Sequence, residues 1–373
     1  MRELDLRAIE DILDGATTLG TGGGGDPARG LAMVQAQLEA GRRFIMVDPD
    51  ELDDDVLACS PYFTGSTAPV PPEREARFAA LPRVTEPEPY LAMRALEKAL
   101  GEQIAATVSI EYGGMNTAAA LAVAARAGIP VLDADAAGRA VPDLQFSTYY
   151  VYGQRIDPIG LATRFGETMV LEGVPDDFRA EDIVRAVAVA SGGMVATADH
   201  PTRGRDLKNG AVIKGALSYA EKVGRAKREA IAAGQDPIAA TLAAGGGYLV
   251  FEGLVAQDPS WEDRGGFLFG EMNITGTGEF LGSNYLIWYK NENIISWRDG
   301  VVDITVPDLI CVLEKGTGRP INNPRARKGM EVDVLAFPAP REWRTPRGLE
   351  ILVPRFFGFD CDWQPVEKKF QGR

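Results

Sequence analysis

The sequence predicts two domains: an α/β N-terminal domain with a mostly parallel sheet, and an α+β C-terminal domain rich in short β-strands. A chain of 373 residues is long enough for two domains. Up to about residue 165, strands, loops of small residues and helices alternate, which is typical of parallel strands with crossover helices. From residue 247, short apolar runs are separated by Gly, Asn, Asp and Pro. We therefore assign residues 1–167 to the first domain and residues 168–373 to the second, with a β-sandwich or barrel-like sheet.

The first predicted helix ends in a glycine-rich loop. Apolar residues recur at helical spacing from about Asp5 to Thr17, and Asp26 begins a second helix. Four consecutive glycines lie between the two helices: Gly22, Gly23, Gly24 and Gly25. A glycine-rich loop before a helix can cradle an anion or a carbonyl oxygen with its backbone N–H groups. It is not a P-loop, because no Gly-Lys-Ser/Thr follows. We predict that the four glycines and Asp26 bind substrate.

Three further loops are expected at the same edge of the first sheet. Strands are predicted at 43–47, 56–63, 105–110 and 129–132, and helices at 90–100 and 117–127, the second capped by Asn116 or Thr117. The last three strands run into loops at 62–69, which contains Ser66, at 111–116, and at 133–145. Because ligands bind at the carboxyl ends of parallel strands, we expect these loops and the glycine-rich loop to converge.

The loop after the strand at 129–132 carries several ionisable side chains. Asp133 and Asp135 are separated by one residue, so they face the same side of an extended segment. Two close carboxyl groups tend to split their pKa values, which lets one act as an acid and the other as a base. Each aspartate could instead cap a turn. We predict catalytic roles for Asp133, Asp135 and Glu111, and substrate-binding roles for Ser66, Asn116, Arg139 and Gln145.

A metal-assisted version of the same chemistry stays open. The chain has one histidine, His200, so a zinc site would depend on carboxylates or on a cysteine such as Cys59. A divalent cation such as Zn²⁺ could activate water beside Asp133, Asp135 and His200. No sequence spacing demands a metal, and His200 and Cys59 could equally be packing residues. The cofactor is therefore unknown from the sequence.

The composition of the chain argues against several classes of binding partner. The formal net charge of -14 argues against nucleic acid and against an anionic membrane surface. No stretch approaches the roughly 20 apolar residues of a membrane span, and the N-terminus does not resemble a signal peptide. The three cysteines are far apart, which predicts neither a disulfide framework nor a thiolate zinc site. We expect a cytoplasmic protein whose partner is a small molecule.

Several strings together resemble the S-methyl thiohydantoin desulfurase-like family over nearly the whole chain. They are GTGGGGDP, EYGGMN, DADAAGRAVPDLQ, KNENII, TVPDLICVLEKGTGRPI and TPRGLEILVPRFFGFD. The resemblance implies a two-part architecture divided near residues 165–170. It also implies hydrolysis of an S-methylated thiohydantoin to the hydantoin with release of methanethiol. Ala136 and Ala137 stand where family members usually carry a bulkier Gly-Met pair, which leaves the substrate's identity open.

These observations predict a hydrolase that acts on a small five-membered ring by acid–base attack of water. One alternative is a hydantoinase-type hydrolase that cleaves a C–N bond of the ring. Another is a non-catalytic, small-ligand-binding subunit of a hydantoinase-like complex, with the aromatic residues around Trp288 and Trp297 as a contact surface. We expect a homo-oligomer, and a hydantoinase-type partner is conceivable because the family is associated with hydantoinase and oxoprolinase enzymes.

Overall fold

A computed structural model describes residues 1–66 and 70–371 of the chain. The strands are β1 (Arg2–Leu4), β2 (Phe44–Val47), β3 (Leu57–Gly65), β4 (Ile104–Ser109), β5 (Val131–Asp135), β6 (Ile159–Ala162), β7 (Thr168–Leu171), β8 (Met194–Arg203), β9 (Ile213–Lys214), β10 (Tyr248–Val255), β11 (Ser260–Arg264), β12 (Phe267–Gly276), β13 (Asn284–Lys290), β14 (Glu292–Arg298), β15 (Val301–Thr305), β16 (Leu309–Glu314) and β17 (Glu331–Phe337). The α-helices are α1 (Leu6–Leu19), α2 (Pro27–Glu39), α3 (Pro72–Ala79), α4 (Glu88–Leu100), α5 (Asn116–Ala127), α6 (Thr148–Val151), α7 (Asp177–Ala190), α8 (Gly204–Asp206), α9 (Ala216–Ala232), α10 (Pro237–Gly245), α11 (Gly348–Ile351) and α12 (Glu367–Phe370).

The first sheet has a parallel centre and antiparallel edges. Its strand order is β1-β2-β5-β4-β3-β8-β6-β7, and β9 pairs with β5. The central strands β2, β5, β4 and β3 are parallel to one another, whereas the outer strands pair antiparallel. Helices α1, α2, α4 and α5 pack on one face, and α7 packs on the other. The predicted α/β architecture is confirmed, and the carboxyl ends of β3, β4 and β5 lie at one edge.

The first sheet takes strands from both sides of residue 167. Strand β8 pairs antiparallel with β3 along most of its length, from Leu57↔Arg203 to Gly65↔Met194. Strands β7 and β9 also join this sheet. Helix α9 packs so closely against α1 that a Cβ atom at Gly15 would clash with the backbone of Ala220. Residues beyond the predicted division therefore complete the first domain's sheet.

The second sheet is antiparallel and curled. Its order is β15-β14-β13-β12-β10-β17-β16, with β11 beside β12. Strands β14 and β15, at one end of the order, lie close to β16, at the other. The alternating apolar residues predicted as strands after residue 247 form this sheet, so the predicted strand-rich C-terminal domain is confirmed. One of its faces packs against α1, α9 and α10 of the chain.

Some element predictions are wrong. The strand predicted at 129–132 begins at Val131 and continues to Asp135, because its backbone pairs there with β4 and β9. The segment 349–353, predicted as a strand, forms helix α11 instead. Helix α5 begins after Met115 without a side-chain cap, because the Asn116 amide bonds to Phe63 instead.

In the part of the chain that the structure describes, no helix is both long and apolar enough to cross a membrane.

Candidate functional site

A cavity of about 60 Å³ lies where the edge of the first sheet meets the second sheet. Its walls come from the glycine-rich loop, the ends of β3 and β4, the loop at 141–147, helix α7 and the turn between β13 and β14. One water molecule needs roughly 10–15 Å³ of such a cavity, so the cavity has room for about four to six water molecules or one small ring. The predicted convergence of the four loops is therefore seen here. Residues 67–69 of the 62–69 loop lie outside the described residues.

Glu111 presents its carboxyl group in the cavity from the loop after β4. Its Oε1 accepts a hydrogen bond from Asn116 Nδ2 at 2.7 Å, and its Oε2 accepts one from the Val141 amide at 2.7 Å. Asn116 is itself held in place, because its amide exchanges two hydrogen bonds with the backbone of Phe63 on β3. The Glu111 carboxylate is thus fixed by donors from two neighbouring elements.

Glu292 faces the same cavity from the second sheet, at the start of β14. Asn291 lies before it in a left-handed conformation with φ of 55°, which asparagine tolerates better than most residues. The Asn291 side chain accepts a hydrogen bond from the Leu268 amide at 2.8 Å, which fixes the turn against β12. Glu292 is 4% exposed, and its Oε2 has no hydrogen-bond partner among the described residues. Its Oε1 occupies the space beside Gly23, 1.9 Å from where a Cβ would stand.

The two glutamates differ in the acidity of their carboxyl groups. Burial raises the pKa of Glu111 to about 7, although the hydrogen bonds from Val141 and Asn116 favour its ionised form. Burial also raises the pKa of Glu292 well above its ordinary value, and the charge of Glu111 raises it further. Glu111 is therefore close to its titration point at neutral pH, and the surroundings of Glu292 favour the protonated form of its carboxyl group. Such a pair can supply one acid and one base.

The glycine-rich loop lies along one wall of this cavity. Gly24 and Gly25 line it, and within the described residues their amide N–H groups donate to no protein acceptor. Their carbonyls are held, because Met115 N donates to Gly24 O at 3.0 Å and Asn322 Nδ2 donates to Gly25 O at 2.8 Å. The two amides can therefore stabilise negative charge on a bound molecule.

Arg185 brings positive charge to the cavity wall, and Lys290 lies behind that wall, where it pairs with Asp143. Arg185, on α7, bonds to Glu181 at 2.6 Å and to the carbonyls of Gly65 and Pro142 at 2.8 and 2.9 Å. Lys290 bonds to both carboxylate oxygens of Asp143 at 2.7 Å. These contacts tie the 141–147 loop to both sheets, so the cavity wall depends on both parts of the chain.

Asp133 and Asp135 share a strand but do not line this cavity. The Asp133 carboxylate accepts a hydrogen bond from the Ser218 amide at 2.9 Å in the first turn of α9. Oδ1 of Asp135 accepts hydrogen bonds from the amides of Ala137 and Gly138 at 2.8 and 2.6 Å, whereas its Oδ2 has no hydrogen-bond partner in the part of the chain that the structure describes. Burial raises the pKa of Asp135 to about 7. Both aspartates therefore hold backbone turns, the alternative that their sequence positions left open.

Arg139 joins the two domains instead of lining the cavity. Its guanidinium donates to the carbonyls of Pro307, Asp308 and Asn293 at 3.0, 3.1 and 3.0 Å, and its Nε donates to Ala140 O at 3.0 Å. Burial lowers the pKa of Arg139 to about 10, which leaves it charged at neutral pH. The planar fork that was expected to bind substrate is engaged by backbone carbonyls.

The remaining predicted substrate-binding residues are divided between the cavity wall and its surroundings. Ser66 and Asn116 line the cavity together with Gly24 and Gly25, whereas Gly22 and Gly23 form the part of the loop that packs against the second sheet. Asp26 caps α2 through the Ala28 amide at 2.9 Å and pairs with Arg325 at 2.8 Å. Gln145 is 2% exposed and lies outside the cavity wall.

The candidate metal ligands do not come together. Among the described residues, no three His, Cys, Asp or Glu side chains form a group that could hold a metal ion. His200 lies in β8 between Asp199, at 2.9 Å, and Asp177, at 3.3 Å. Burial lowers its pKa, but the two carboxylates outweigh burial and raise it to about 9, so the ring is charged and unsuited to a metal. Cys59 is fully buried, and burial raises the pKa of its thiol.

Sequence reasoning missed Glu292, Arg185 and Lys290. Lys290 and Glu292 lie within KNENII, on either side of Asn291, between apolar strand segments. A charged residue at a strand end, beside an asparagine suited to a left-handed turn, could have indicated that Glu292 belongs to a site. Arg185 lies in an ordinary amphipathic helix and carried no comparable signal.

Comparisons with known proteins give a family for both parts of the chain. A family model described as the S-Me-THD-like N-terminal domain matches residues 7–173, and one described as the S-Me-THD-like C-terminal domain matches residues 175–366. No curated protein sequence matches the chain. An X-ray crystal structure of a protein from Chromobacterium violaceum is 23% identical, with 98% of this chain and 100% of that chain covered and a TM-score of 0.75. At this identity the likeness supports the fold alone.

Proposed function

This chain belongs to the S-Me-THD-like family, and we propose that it hydrolyses an S-methylated thiohydantoin to the hydantoin and methanethiol. One observation carries the proposal. Glu111 and Glu292, from the two domains, face one cavity of ring size with environments that set their acidities apart. Hydrolysis of a thioimidate needs an acid for the ring nitrogen and a base for water, and this pair can supply both.

The proposed reaction begins with water at the carbon that carries sulfur. The Glu111 carboxylate takes a proton from the water as the C–O bond forms, and the carboxylic acid of Glu292 gives its proton to the ring nitrogen. The amides of Gly24 and Gly25 donate to the ring carbonyl oxygen, which shares the negative charge of the ring nitrogen until that nitrogen is protonated. Glu111 suits the role of base because two donors hold its ionised form.

The tetrahedral intermediate then breaks its C–S bond. The electron pair leaves with sulfur, and the methanethiolate takes the proton held by Glu111 and departs as methanethiol. The hydroxyl group of the intermediate returns a proton to Glu292 as the ring carbonyl forms. Both glutamates end in their starting states, and the products are the hydantoin and methanethiol.

Methanethiol release from an S-methylated thiohydantoin tests this proposal. We expect wild-type protein to release it before and after chelation, and Glu111→Gln to lower kcat by about 10²- to 10⁴-fold. Glu331→Gln, at an exposed position of β17, is the matched control and should retain the wild-type rate.

Three results would count against the proposal. Loss of release on chelation, with recovery on adding Zn²⁺, would favour metal-assisted water attack. A ring-opened acid without methanethiol would favour the hydantoinase-type C–N hydrolase. Folded protein that binds the ring without turnover would favour a binding subunit.

A further inference from the structure

An aromatic groove of about 610 Å³ lies next to the cavity, on the face of the second sheet. Its principal side chains are Trp261, Phe269, Trp288, Lys290, Phe356 and Phe357. Trp261 is 43% exposed and Phe356 is 41% exposed, which is unusual for rings that lie together on one surface. Grouped exposed aromatic side chains with a polar rim are typical of a binding site. The mechanism above uses none of them.

Strand β13 connects this groove to the cavity. Trp288 and Lys290 lie on one face of the strand because side chains alternate along it. Phe269 on β12 is directly opposite Lys290. Lys290 pairs in turn with Glu292 across the turn, and Glu292 lines the cavity. Phe269 in the groove, Lys290, and Glu292 in the cavity therefore lie side by side on three neighbouring strands.

Three side-chain pairs form the partition between the two spaces. Lys290 lines the groove, and its partner Asp143 lines the cavity, with 2.7 Å between Nζ and the carboxylate oxygens. Phe146 lines the cavity, and its ring centre lies 5.0 Å from that of Phe356 and 5.5 Å from that of Phe357. Asp143 and Phe146 belong to a loop between β5 and α6, so one loop separates the two spaces.

We propose that the aromatic groove is the outer part of the substrate site and takes a flat, apolar substituent of the ring, about the size of a phenyl group. The inference rests on the proposed function, because it places the ring in the cavity beside Glu111 and Glu292. A ring fills that cavity, and the Asp143–Lys290 pair lies at its boundary with the groove. In this proposal the pair separates, and a larger substituent extends from the ring into the groove. There, Trp288 and Phe269, whose ring centres are 5.9 Å apart, offer it stacking partners.

Two substrates that differ only in this substituent test the proposal: the 5-benzyl and the 5-methyl derivatives of an S-methylated thiohydantoin. We expect Trp261→Ala and Trp288→Leu to lower kcat/KM for the benzyl compound by about tenfold, with the methyl compound changed less than about twofold. Trp261 is the safer position because it is more exposed. Leu281→Ala, which removes an 82% exposed side chain elsewhere on the same sheet, is the control and should alter neither value.

Binding of 5-benzylhydantoin, measured by calorimetry, separates this inference from the proposed function. Binding that weakens about tenfold in Trp261→Ala supports the groove even when no variant releases methanethiol. Equal effects of Trp261→Ala on the two substrates, or none on either, overturn the groove assignment while leaving the hydrolase intact. A dimer that dissociates on Trp261→Ala, seen by sedimentation, would assign the groove to a second copy of the chain and also overturn the inference.

Discussion

Glu111 and Glu292 are chemically identical side chains, and their surroundings give them different roles. Two hydrogen-bond donors hold the Glu111 carboxylate, whereas Oε2 of Glu292 receives none from residues 1–66 and 70–371, which the structure describes. Burial raises the pKa of both carboxyl groups, to about 7 for Glu111 and well above the ordinary value for Glu292. Asp135 is equally buried but accepts backbone hydrogen bonds outside the cavity, so burial alone does not identify a catalytic acid.

Another buried acid, Asp135, gives a prediction about stability. Its pKa in the folded protein is about 7, raised by burial from 3.8, so the folded state retains a proton that the unfolded state has lost. The wild-type free energy of unfolding should therefore fall between about pH 4 and pH 7, by roughly 1 kcal/mol per pH unit from this group. Asp135→Asn carries no such proton and should lack this contribution. Denaturant unfolding at several pH values measures the difference.

The exposed Asp182→Asn on α7 is the control for that series and should follow the wild-type pH dependence. An Asp135→Asn protein with the wild-type slope would show that Asp135 is already ionised in the folded state. Activity adds a second readout. Because Asp135 does not line the cavity, Asp135→Asn should keep kcat within about tenfold of wild type, far from the loss expected of a general acid.

At the scale of elements, Asp133 links β5 to α9. Its carboxylate accepts from the Ser218 amide, one of the unsatisfied N–H groups in the first turn of the helix. We expect Asp133→Ala to lower the free energy of unfolding by about 1 kcal/mol, as the loss of a helix cap does, with little change in activity per folded molecule. Urea unfolding measures this, with Asp182→Ala as the control. A loss of turnover without a loss of stability would contradict the structural role.

The glycine-rich loop is shaped by the acid that lies against it. A Cβ at Gly23 would stand 1.9 Å from Glu292 Oε1, so Gly23→Ala should displace that side chain while the backbone is retained. We expect kcat to fall on the order of 10²-fold with little change in Tm. In a Glu292→Gln background, Gly23→Ala should lower kcat far less, because the carboxylic acid that it displaces is already absent. Additive losses in this double-mutant cycle would show that Gly23 acts independently of Glu292.

Local patterns predicted most of the elements, and tertiary contacts explain the exceptions. Periodicity and caps were sufficient for α1, and for α2 with its Asp26 cap, because both depend on neighbouring residues. The end of β5 was placed too early because two aspartates are unusual in a strand. Ser218, which donates to Asp133, comes from a distant part of the chain. Helix α5 lost its expected cap for the same reason, because Asn116 bonds to β3.

At the scale of the whole molecule, the candidate site exists only where the two sheets meet. The sequence predicted the convergence of four loops because parallel strands place their carboxyl ends at one edge. It did not predict Glu292, which reaches the cavity from a different sheet through long-range packing. Nor did it predict that β8 and β9 would complete the first sheet, because their partners β3 and β5 lie far away in the sequence.

Arg139 should couple the stability of the two domains. Its guanidinium satisfies carbonyls of Pro307, Asp308 and Asn293 from a fully buried position. A lysine has no planar fork and cannot reach all three carbonyls, so Arg139→Lys should lower the free energy of unfolding by about 2–4 kcal/mol. Guanidinium unfolding measures the loss, with the exposed Arg179→Lys as control. A change below about 0.5 kcal/mol would show that the domains are held together without this residue.

The pH dependence of kcat/KM for methanethiol release, compared between wild type and Glu292→Gln, tests the central claim most directly. For wild type we predict that the rate rises through about pH 7 as Glu111 ionises, and falls at higher pH as Glu292 loses its proton. Glu292→Gln should be slower by about 10²- to 10⁴-fold and should lack the falling limb. A Glu292→Gln protein with the wild-type rate and an unchanged profile would contradict the assignment of Glu111 and Glu292 as the acid–base pair.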